Sequence, residues 1–359
     1  MADELSCVCH TRLASGFEVH ADLHLPLDRA PVTVLFGPSG AGKTTLLRML
    51  AGLDRPLDGA IAFRGQTWFA SAQGICLPPQ QRRAGYVAQD YALFPHLTVA
   101  ANIFYAARPG KPREYLKTFG LDDLAGRYPR AISSGQRQRV ALARALTAEP
   151  ALLLLDEPLS ALDAAARART RQQLRNLLLA SGVPCIVVTH DRMEAISLGD
   201  WIAVMVDGRV RQCGPVQEVF QRPADSQVAE SVGVENVLPA RIVSRDVGLL
   251  TLEAGGAPLQ AVDSGENGVL AVCIRAEDVA IAREPAAPSS MRNRLPGRVT
   301  SLTLEGPLAR VELDCGFPLV ALITTQSAEE LELKTGEAVC AIVKTTAVHV
   351  AARSGGMDE

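Results

Sequence analysis

The apolar residues of the chain fall into short runs that predict buried strands. Three runs do not alternate with polar residues: Val32–Phe36, residues 151–155 and Cys185–Thr189. Such runs are typical of strands that are covered on both faces of a parallel sheet. Between about residues 99 and 148 the apolar spacing becomes helical, and beyond about residue 235 it changes to short strands and turns. The pattern predicts an α/β region followed by a β domain.

A glycine-rich stretch joins the first run to a helical pattern. Glycines let the backbone fold closely round a triphosphate, because no Cβ stands in the way. A helix beginning near Lys43 directs free N–H groups and its positive dipole end at the phosphates. Lys43 is then placed between the β- and γ-phosphates, and the Thr44 hydroxyl is a hard oxygen ligand for Mg²⁺. This predicted phosphate loop consists of Gly37, Pro38, Ser39, Gly40, Ala41, Gly42, Lys43, Thr44 and Thr45.

Polar residues end the other buried strands, where they face the same crevice. The second run leads into Asp156 and Glu157, and the third leads into His190. Since neighbouring residues of a strand point to opposite sides, we expect Asp156 to hold Mg²⁺ and Glu157 to accept a proton from water. His190 is predicted to contact the γ-phosphate. Gln89 ends a further strand and either orients water, binds Mg²⁺ or is simply solvated.

Two other features each admit two interpretations. Small and polar residues begin a helix at Ser133, Ser134, Gly135 and Gln136, with Ser133 as a natural N-cap. They form either an ordinary capped helix with a basic outer face or a second anion cradle. Phe17, near the predicted N-terminal strands, either stacks on adenine or packs in the core.

Composition narrows the function classes. At 359 residues the chain is long enough for two or three domains, and 48% hydrophobic residues suffice for globular folding. A net charge of −3 gives no general attraction to nucleic acid or anionic lipid. No apolar run has the length of a membrane span, and the N-terminus does not resemble a signal peptide. We therefore expect a cytoplasmic protein with reduced cysteines.

The C-terminal third contains a weak internal repeat. Residues 238–244 (LPARIVS) recur as residues 295–301 (LPGRVTS). Residues 283–288 are rich in proline and alanine and are predicted to be a linker. The sequence therefore predicts two small OB-like barrels, at residues 235–283 and 289–353.

In the order in which they occur, these motifs resemble those of ABC transporter ATPase subunits, over about residues 1–230. The phosphate loop is similar to the Walker A motif, Gln89 to the Q-loop glutamine and Asp156 to the end of the Walker B strand. The resemblance implies an α/β P-loop NTPase with a mixed sheet core, an antiparallel β subdomain and a helical subdomain at about residues 97–150. It implies ATP and Mg²⁺ as cofactors, with Mg²⁺ held by Thr44, Gln89 and Asp156.

The same resemblance assigns catalysis and partners. It implies that Lys43, Gln89, Glu157 and His190 carry out ATP hydrolysis. It also implies a homodimer, in which Ser133, Ser134, Gly135, Gln136 and the D-loop residue Asp163 of one subunit complete the ATP site of the other. Two transmembrane permease subunits would bind at residues 91–97, which begin with Tyr91 and end with Leu97. A solute-binding receptor would act indirectly, and the subunit would lie at the cytoplasmic face of the membrane.

Residues 289–352 resemble the Mop, or molybdate-binding, domain, which makes the C-terminal region an all-β OB-like (TOBE/Mop) domain. Arg292 and Lys344 can balance a dianion, while Ser290 and Thr346 can donate hydroxyl hydrogen bonds. The resemblance implies molybdate as a ligand and an importer for molybdate. Sulfate, tungstate or another solute is the runner-up within this class. A soluble oxyanion sensor or store is the alternative from another class, and a purely structural tail is left open.

Overall fold

The computed structural model describes residues 3–29, 31–105, 112–283 and 290–353. The chain divides into two compact units, residues 1–219 and 220–359. Residues 220–230, which the sequence predicts in the first domain, make their contacts within the second unit. Pro223 O, for example, accepts a hydrogen bond from His349 Nε2 at 2.9 Å. Apart from Arg283, the predicted linker lies outside the described residues.

The first unit is built on one mixed sheet with helices on both faces. In chain order its strands are β1 (Glu4–Arg12), β2 (Glu18–Pro26), β3 (Val32–Phe36), β4 (Asp58–Phe63), β5 (Gln66–Ala70), β6 (Ile75–Cys76), β7 (Ala84–Val87), β8 (Leu152–Asp156), β9 (Cys185–Thr189), β10 (Trp201–Val206) and β11 (Arg209–Pro215). The helices are α1 (Lys43–Ala51), α2 (Pro79–Arg82), α3 (Val99–Phe104), α4 (Pro112–Thr118), α5 (Ser134–Thr147), α6 (Ala164–Ser181), α7 (Arg192–Leu198) and α8 (Val216–Gln221), the last of which continues into the second unit. The strand order is β6-β5-β4-β1-β2-β11-β10-β3-β9-β8-β7.

Strands β10, β3, β9, β8 and β7 are parallel to one another and lie at one end of the strand order. All five residues of β3, β8 and β9 are buried, as their uninterrupted apolar runs predict. Along β8 the side chains alternate between two cores. Leu152 and Leu154 pack in the cluster that contains α1, while Leu153 and Leu155 pack with α5 and α6. Burial on both faces holds the carboxyl ends of these strands in register.

Helices α3, α4 and α5 lie in the predicted helical region, and β1, β2, β4, β5 and β6 form antiparallel pairs. Asn102 of α3 is fully buried and fastens the preceding loop by hydrogen bonds to Phe94, Leu97 and Thr98. Its side chain thereby satisfies backbone groups of this loop away from solvent. The architecture corresponds to the predicted sheet core, antiparallel subdomain and helical subdomain.

The second unit consists mainly of two five-stranded antiparallel sheets. Its strands are β12 (Asn236–Asp246), β13 (Leu249–Ala254), β14 (Ala257–Val262), β15 (Leu270–Ile274), β16 (Val279–Ala282), β17 (Asn293–Glu305), β18 (Leu308–Asp314), β19 (Pro318–Thr324), β20 (Ala338–Val343) and β21 (His349–Ala352). Its short helices are α9 (Ser226–Ser231) and α10 (Thr325–Glu330). The sheet orders are β14-β13-β12-β15-β21 and β16-β20-β17-β18-β19.

The two sheets exchange a strand, which the sequence does not predict. Strand β16 comes from the first predicted barrel but pairs with β20, and β21 comes from the second but pairs with β15. The apolar residues of both halves form one cluster. Residues 235–283 and 289–353 are therefore not two separate barrels. The prediction of contiguous units is corrected because the final strand of each half pairs with a strand of the other half.

A pair of equivalent asparagines links the two halves further. Asn236 begins β12, and its side chain forms two hydrogen bonds with the backbone of Val320 in the other half. Asn293 begins β17 and forms the same pair of bonds with the backbone of Gln260. Both asparagines are buried, so each amide replaces a solvent contact that the strand edge would otherwise require. The repeat in the sequence therefore corresponds to a repeat in the packing.

The shared core leads to a prediction about cooperativity. We expect Val279→Ala and Val350→Ala, at sites that are 1% and 3% exposed, each to lower the stability of the same unfolding transition by about 1 to 3 kcal/mol. Calorimetry of the full chain measures this. Val262→Ala, at a site that is 47% exposed, is the matched control and should change little. Two transitions that each respond to only one variant would contradict the shared core.

Candidate functional site

The phosphate loop connects β3 to α1 as the sequence predicts. Gly37, Gly40 and Gly42 all have positive φ angles, of 153°, 82° and 93°. A Cβ on Gly37 would lie 2.0 Å from the carbonyl oxygen of Met205, so no other residue fits there without moving the backbone. Gly42 is the N-cap of α1 and contributes no side chain to the cap. The N–H groups at the start of α1 are therefore left for a ligand.

Lys43 is the first residue of α1 and is only 5% exposed. Its Nζ donates hydrogen bonds to Gly37 O at 2.8 Å and to Pro38 O at 2.7 Å. Burial lowers the pKa of Lys43, and the carboxylates of Glu157 and Asp156 partly oppose this effect. The ammonium group thus lies inside the loop with two weak carbonyl partners, which phosphate oxygens can replace.

Asp156 faces Thr44 at the carboxyl end of β8. Thr44 Oγ1 donates to Asp156 Oδ1 at 2.9 Å, and the Tyr86 hydroxyl donates to Asp156 Oδ2 at 3.0 Å. Burial raises the pKa of Asp156, while these two hydrogen bonds lower it. The hydroxyl and carboxylate oxygens are hard ligands of the kind that Mg²⁺ prefers. Sequence reasoning missed Tyr86, because its partner Asp156 lies on a neighbouring strand that is far away in the chain.

Glu157 lies beside Asp156 but is oriented differently. Its Oε1 is 3.1 Å from His190 Nδ1, and its Oε2 is 3.4 Å from Gln89 Nε2. The structure thus brings together three residues that the sequence places at the ends of three strands. The Glu157 side chain is 18% exposed, whereas that of His190 is 49% exposed. The carboxylate therefore remains accessible to one water molecule or a phosphate oxygen while its direction is held by two neighbours.

The backbone of Glu157 is strained. Its φ is +43°, a left-handed conformation that is costly for a residue with a Cβ. Three hydrogen bonds hold it there. Glu157 N donates to Val188 O at 3.1 Å, and Glu157 O accepts from Ser160 N at 3.1 Å and Ser160 Oγ at 2.9 Å. This turn, rather than strand alternation alone, separates the directions of Asp156 and Glu157.

A cleft of about 490 Å³ opens beside these residues. Its lining is formed by Thr44, Arg48, Tyr86, Ala88, Gln89, Asp90, Asp156, Ser160 and Ala161. The residues fit a magnesium nucleotide for three reasons: the phosphate loop has no side chain in the way, Lys43 supplies a cation, and Thr44 with Asp156 supplies hard oxygens. Gln89 lies at the rim, where it reaches both the cleft and Glu157.

The predicted second anion cradle lies at the start of α5. Ser133 caps α5 in a capping box: its Oγ accepts from Gln136 N, and Gln136 Oε1 accepts from Ser133 N at 2.8 Å. A Cβ on Gly135 would meet only Leu162, at 4.0 Å. Ser134 is half-buried, and Asp163 is exposed just before α6. This helix end is therefore ordered and open to a partner.

Phe17 lies beside the phosphate loop. One of its ring carbons, Cε1, would be 3.4 Å from a Cβ on Gly42, and the ring also packs against the main core cluster. The half-buried ring therefore matches the core-packing interpretation, and stacking on adenine stays a prediction.

The segment of residues 91–97 is less exposed than the sequence suggests. Tyr91 is 3% exposed, and its hydroxyl donates to Pro158 O at 3.1 Å, so it belongs to the core rather than to a docking surface. Arg144 lies over the Phe94 ring at 5.3 Å and donates to the carbonyls of Tyr91 and Ala92. The loop is thus rigid, with Leu93, Phe94 and Leu97 half-buried.

The four predicted oxyanion residues are exposed in the second unit. Arg292 lines a cleft of about 600 Å³, whose lining does not include Ser290, Lys344 or Thr346. The pairing of Asn293 with Val343 nevertheless places positions 292 and 344 next to each other at the end of one ladder. Lys344 also lies near Asp278 and lowers the pKa of that carboxyl, although burial raises it overall.

The fold and the site of the first unit define a P-loop nucleotide-binding domain. The family model described as ABC transporter matches residues 20–160, and the model described as TOBE domain matches residues 289–350. The chain is 38% identical to the molybdate/tungstate import ATP-binding protein WtpC of Pyrococcus abyssi, over 92% of this chain and 95% of that protein. It is 41% identical to the molybdenum import ATP-binding protein ModC of Brucella melitensis, over 89% of this chain and 92% of that protein.

A third relative is the sulfate/thiosulfate import ATP-binding protein CysA 2 of Chromobacterium violaceum. The chain is 42% identical to it over 87% of this chain and 84% of that protein. The chain therefore belongs to the ABC transporter family, as one of its ATP-binding proteins with a C-terminal TOBE domain. It is an ATPase that uses ATP and Mg²⁺. Among the described residues, no helix has both the length and the apolar character that crossing a bilayer requires.

Tyr86 provides a test of the Asp156 environment. Removing its hydroxyl in Tyr86→Phe takes away a hydrogen bond that lowers the pKa of Asp156, so the carboxylate becomes protonated at a higher pH on acidification. We expect the acid limb of the ATPase pH profile to move to higher pH and Mg²⁺ affinity to fall on the order of tenfold. Tyr115→Phe, in α4, is the matched control. Identical pH profiles for both variants would contradict this role.

Proposed function

We propose that the chain is the ATP-hydrolysing, energy-coupling subunit of an importer for molybdate. The observation that carries the catalytic part is the placement of Glu157 between His190 and Gln89, beside Asp156 and the phosphate loop. A passive nucleotide binder has no need of a carboxylate held by two donors and accessible to water. Thr44 and Asp156 would hold Mg²⁺, which would neutralise phosphate charge.

The residues of the chain divide the catalytic work. Lys43 exchanges the Gly37 and Pro38 carbonyls for phosphate oxygens, which are stronger partners for an ammonium. Glu157 Oε1 and Oε2 accept hydrogen bonds from His190 and Gln89, which leaves a lone pair to take a proton from the attacking water. His190, once released from Glu157, donates to the γ-phosphate, where negative charge develops.

The site is proposed to be completed by a second copy of the chain. The phosphate loop covers only one side of a triphosphate, and Gly135 at the start of α5 has open space around it, since a Cβ there would meet only Leu162 at 4.0 Å. In a homodimer, Ser133, Ser134, Gly135 and Gln136 of the second copy would cover the exposed phosphates, with Asp163 at the same seam. Closing on ATP and opening after hydrolysis would supply the mechanical stroke.

Two transmembrane permease subunits are the proposed partners of the dimer, which lies peripherally at the cytoplasmic face of the membrane. The surface proposed for them is the rigid loop with Leu93, Phe94 and Leu97, without the buried Tyr91. A loop fixed by Asn102 and Arg144 transmits displacement, because it does not deform when pushed. A separate solute-binding receptor is proposed to act through the permeases, and no role for nucleic acid is proposed.

The internal repeat supports an oxyanion ligand. Aligning Leu238 with Leu295 makes Glu235 the counterpart of Arg292. Aligning residues 272–275 (VCIR) with residues 341–344 (AIVK) makes Ala276 the counterpart of Thr345. In the first half, the Glu235 carboxylate accepts a hydrogen bond from Ala276 N at 3.1 Å. In the second half a cation replaces that carboxylate. A free anion would then take the place of the missing carboxylate, between Arg292 and the start of the turn after Lys344.

Thr345 supplies a second indication. It is 9% exposed, and its Oγ1 has no hydrogen-bond partner among the described residues. Such an unpaired buried hydroxyl is costly unless a ligand or water satisfies it.

Molybdate is the leading ligand because two of the relatives reported above carry molybdenum or molybdate in their names. Tungstate has nearly the same size and charge, and sulfate is kept as an alternative because a third relative is named for it. A soluble sensor or store is the alternative from another class, against which Glu157 and His190 argue.

Glu157→Gln tests the catalytic part of the proposal. The amide keeps the shape of the side chain but cannot accept the proton from water, so we expect ATP to bind normally while turnover falls by about 10²- to 10⁴-fold. Equilibrium nucleotide binding and steady-state phosphate release measure the two effects separately. Glu114→Gln, on the exposed face of α4, is the matched control. Near-normal hydrolysis by Glu157→Gln would remove the carboxylate from catalysis.

A titration of the full chain with molybdate, tungstate and sulfate tests the oxyanion. We expect tetrahedral molybdate and tungstate to bind at about equal strength and sulfate to bind at least tenfold more weakly, with Arg292→Gln reducing affinity by about tenfold or more. Arg298→Gln is the control, since Arg298 lies on β17, the strand that begins directly after Arg292. Because a phosphate loop also attracts oxyanions, each titration is repeated with Lys43→Ala. Equal binding of sulfate would favour the alternative importer, and no binding would leave the tail structural.

A further inference from the structure

Two histidines face each other on the outer side of the β1–β2 hairpin. His10 and His20 are directly paired in the antiparallel ladder, so their side chains leave the sheet on the same face. Their rings stack with centroids 4.3 Å apart and planes inclined by 24°. Cys9 and Ala21, the adjacent residues, point into the core and are buried. The imidazole pair is therefore held by a continuous ladder on a rigid base.

A carboxylate completes the cluster. Glu18 lies two residues before His20 and so shares its face. Its Oε2 is 3.3 Å from His20 Nε2 and 3.9 Å from His10 Nε2. One potential ligand atom from each of the three residues lies within 4.8 Å of the other two. The other carboxylate oxygen of Glu18 is 3.7 Å from Arg12 Nε in a surface ion pair.

The Nε2 atom of His10 is screened from solvent and has no hydrogen-bond partner among the described residues. Leaving a buried ring nitrogen unpaired is unfavourable, so its place beside Glu18 and His20 points to a ligand. A cleft of about 290 Å³ next to the pair adds Asp22 and Asp58 to its lining. Asp58 pairs with His10 across the β1–β4 ladder and accepts from Ser71, a contact that lowers the pKa of Asp58.

We propose that His10, His20 and Glu18 bind a divalent transition-metal cation of the zinc class. Two imidazole nitrogens and one carboxylate oxygen are a donor set that such ions take in open sites, whereas Mg²⁺ prefers oxygen ligands. Metal–nitrogen bonds of about 2.0 Å require the ligand atoms to approach to roughly 3.3 Å, which side-chain rotations can supply. Water from the neighbouring cleft fills the remaining coordination position.

The site has a structural consequence for the nucleotide loop. Residues 13–17 connect β1 to β2 and carry Phe17, the side chain beside Gly42. A metal bound by His10 and Glu18 joins the two strands immediately behind this connection. Binding restricts the ends of the hairpin, so it stabilises the folded state and fixes the approach of Phe17 to the phosphate loop.

A cobalt(II) titration of the full chain without an affinity tag tests the site, in nucleotide-free buffer with excess Mg²⁺ to fill oxygen-only sites. We expect one equivalent to bind with micromolar affinity, and its visible spectrum to show nitrogen and oxygen ligands without thiolate charge transfer. Zn²⁺ should displace the cobalt. His10→Gln and His20→Gln should each weaken binding by at least about tenfold, because one of three protein ligands is lost.

Two further variants separate ligation from folding. Glu18→Gln keeps the side-chain shape and should also weaken binding, while circular dichroism remains that of the unmodified chain. His24→Gln is the matched control, since His24 lies on the same strand but outside the three-residue cluster, and it should leave affinity unchanged. The proposal would be overturned if the three cluster variants bound cobalt as tightly as His24→Gln and the unmodified chain. Thiolate charge transfer, or no saturable binding at micromolar cobalt, would also overturn it.

Discussion

The parallel pairing of β3, β9 and β8 is the constraint on which the nucleotide site depends. Every residue of these strands is buried, so their register cannot shift without exposing apolar side chains. The shared register brings the phosphate loop, Asp156 and His190 to one edge of the sheet, although they are far apart in the sequence. Helix α1 then starts at that edge because the loop ends at Gly42. The chemistry is local, but the core determines where it occurs.

Burial at this edge has opposite effects on the two kinds of charge. It lowers the pKa of Lys43 and raises that of Asp156, so each charged group becomes more dependent on its partners. The Gly37 and Pro38 carbonyls accept hydrogen bonds from Lys43, while the hydroxyls of Thr44 and Tyr86 donate to Asp156. Phosphate oxygens can replace the two carbonyls, and the oxygens of Thr44 and Asp156 are ligands that suit Mg²⁺. The loop is therefore preorganised, and ligand binding exchanges hydrogen bonds rather than creating the site.

Much of this site follows from the sequence, because uninterrupted apolar runs and the glycine pattern locate three strand ends unambiguously. Tyr86 was missed, since its contact with Asp156 joins neighbouring strands of the sheet that are far apart in the chain. The burial of Tyr91 was also missed, because its hydroxyl finds Pro158 O only after β8 and the following turn are assembled. The exchange of β16 and β21 between the two sheets could not be predicted, because both strands have only four residues, mostly apolar, and such a short apolar segment does not specify which sheet it joins. Sequence patterns specify elements well and long-range partners poorly.

The C-terminal repeat illustrates how one packing scheme can leave one half closed and the other open. Asn236 and Asn293 form equivalent bonds across the halves, so the two frameworks are held alike. One position earlier, however, Glu235 satisfies the amide of Ala276 with its own carboxylate, whereas Arg292 brings a positive charge to the matching place. The asparagine pairs and the shared core stabilise both halves, so the change from Glu235 to Arg292 reverses one charge without altering the packing. The reversed position is then free to respond to an anion, which is why the proposed ligand site belongs to the second half.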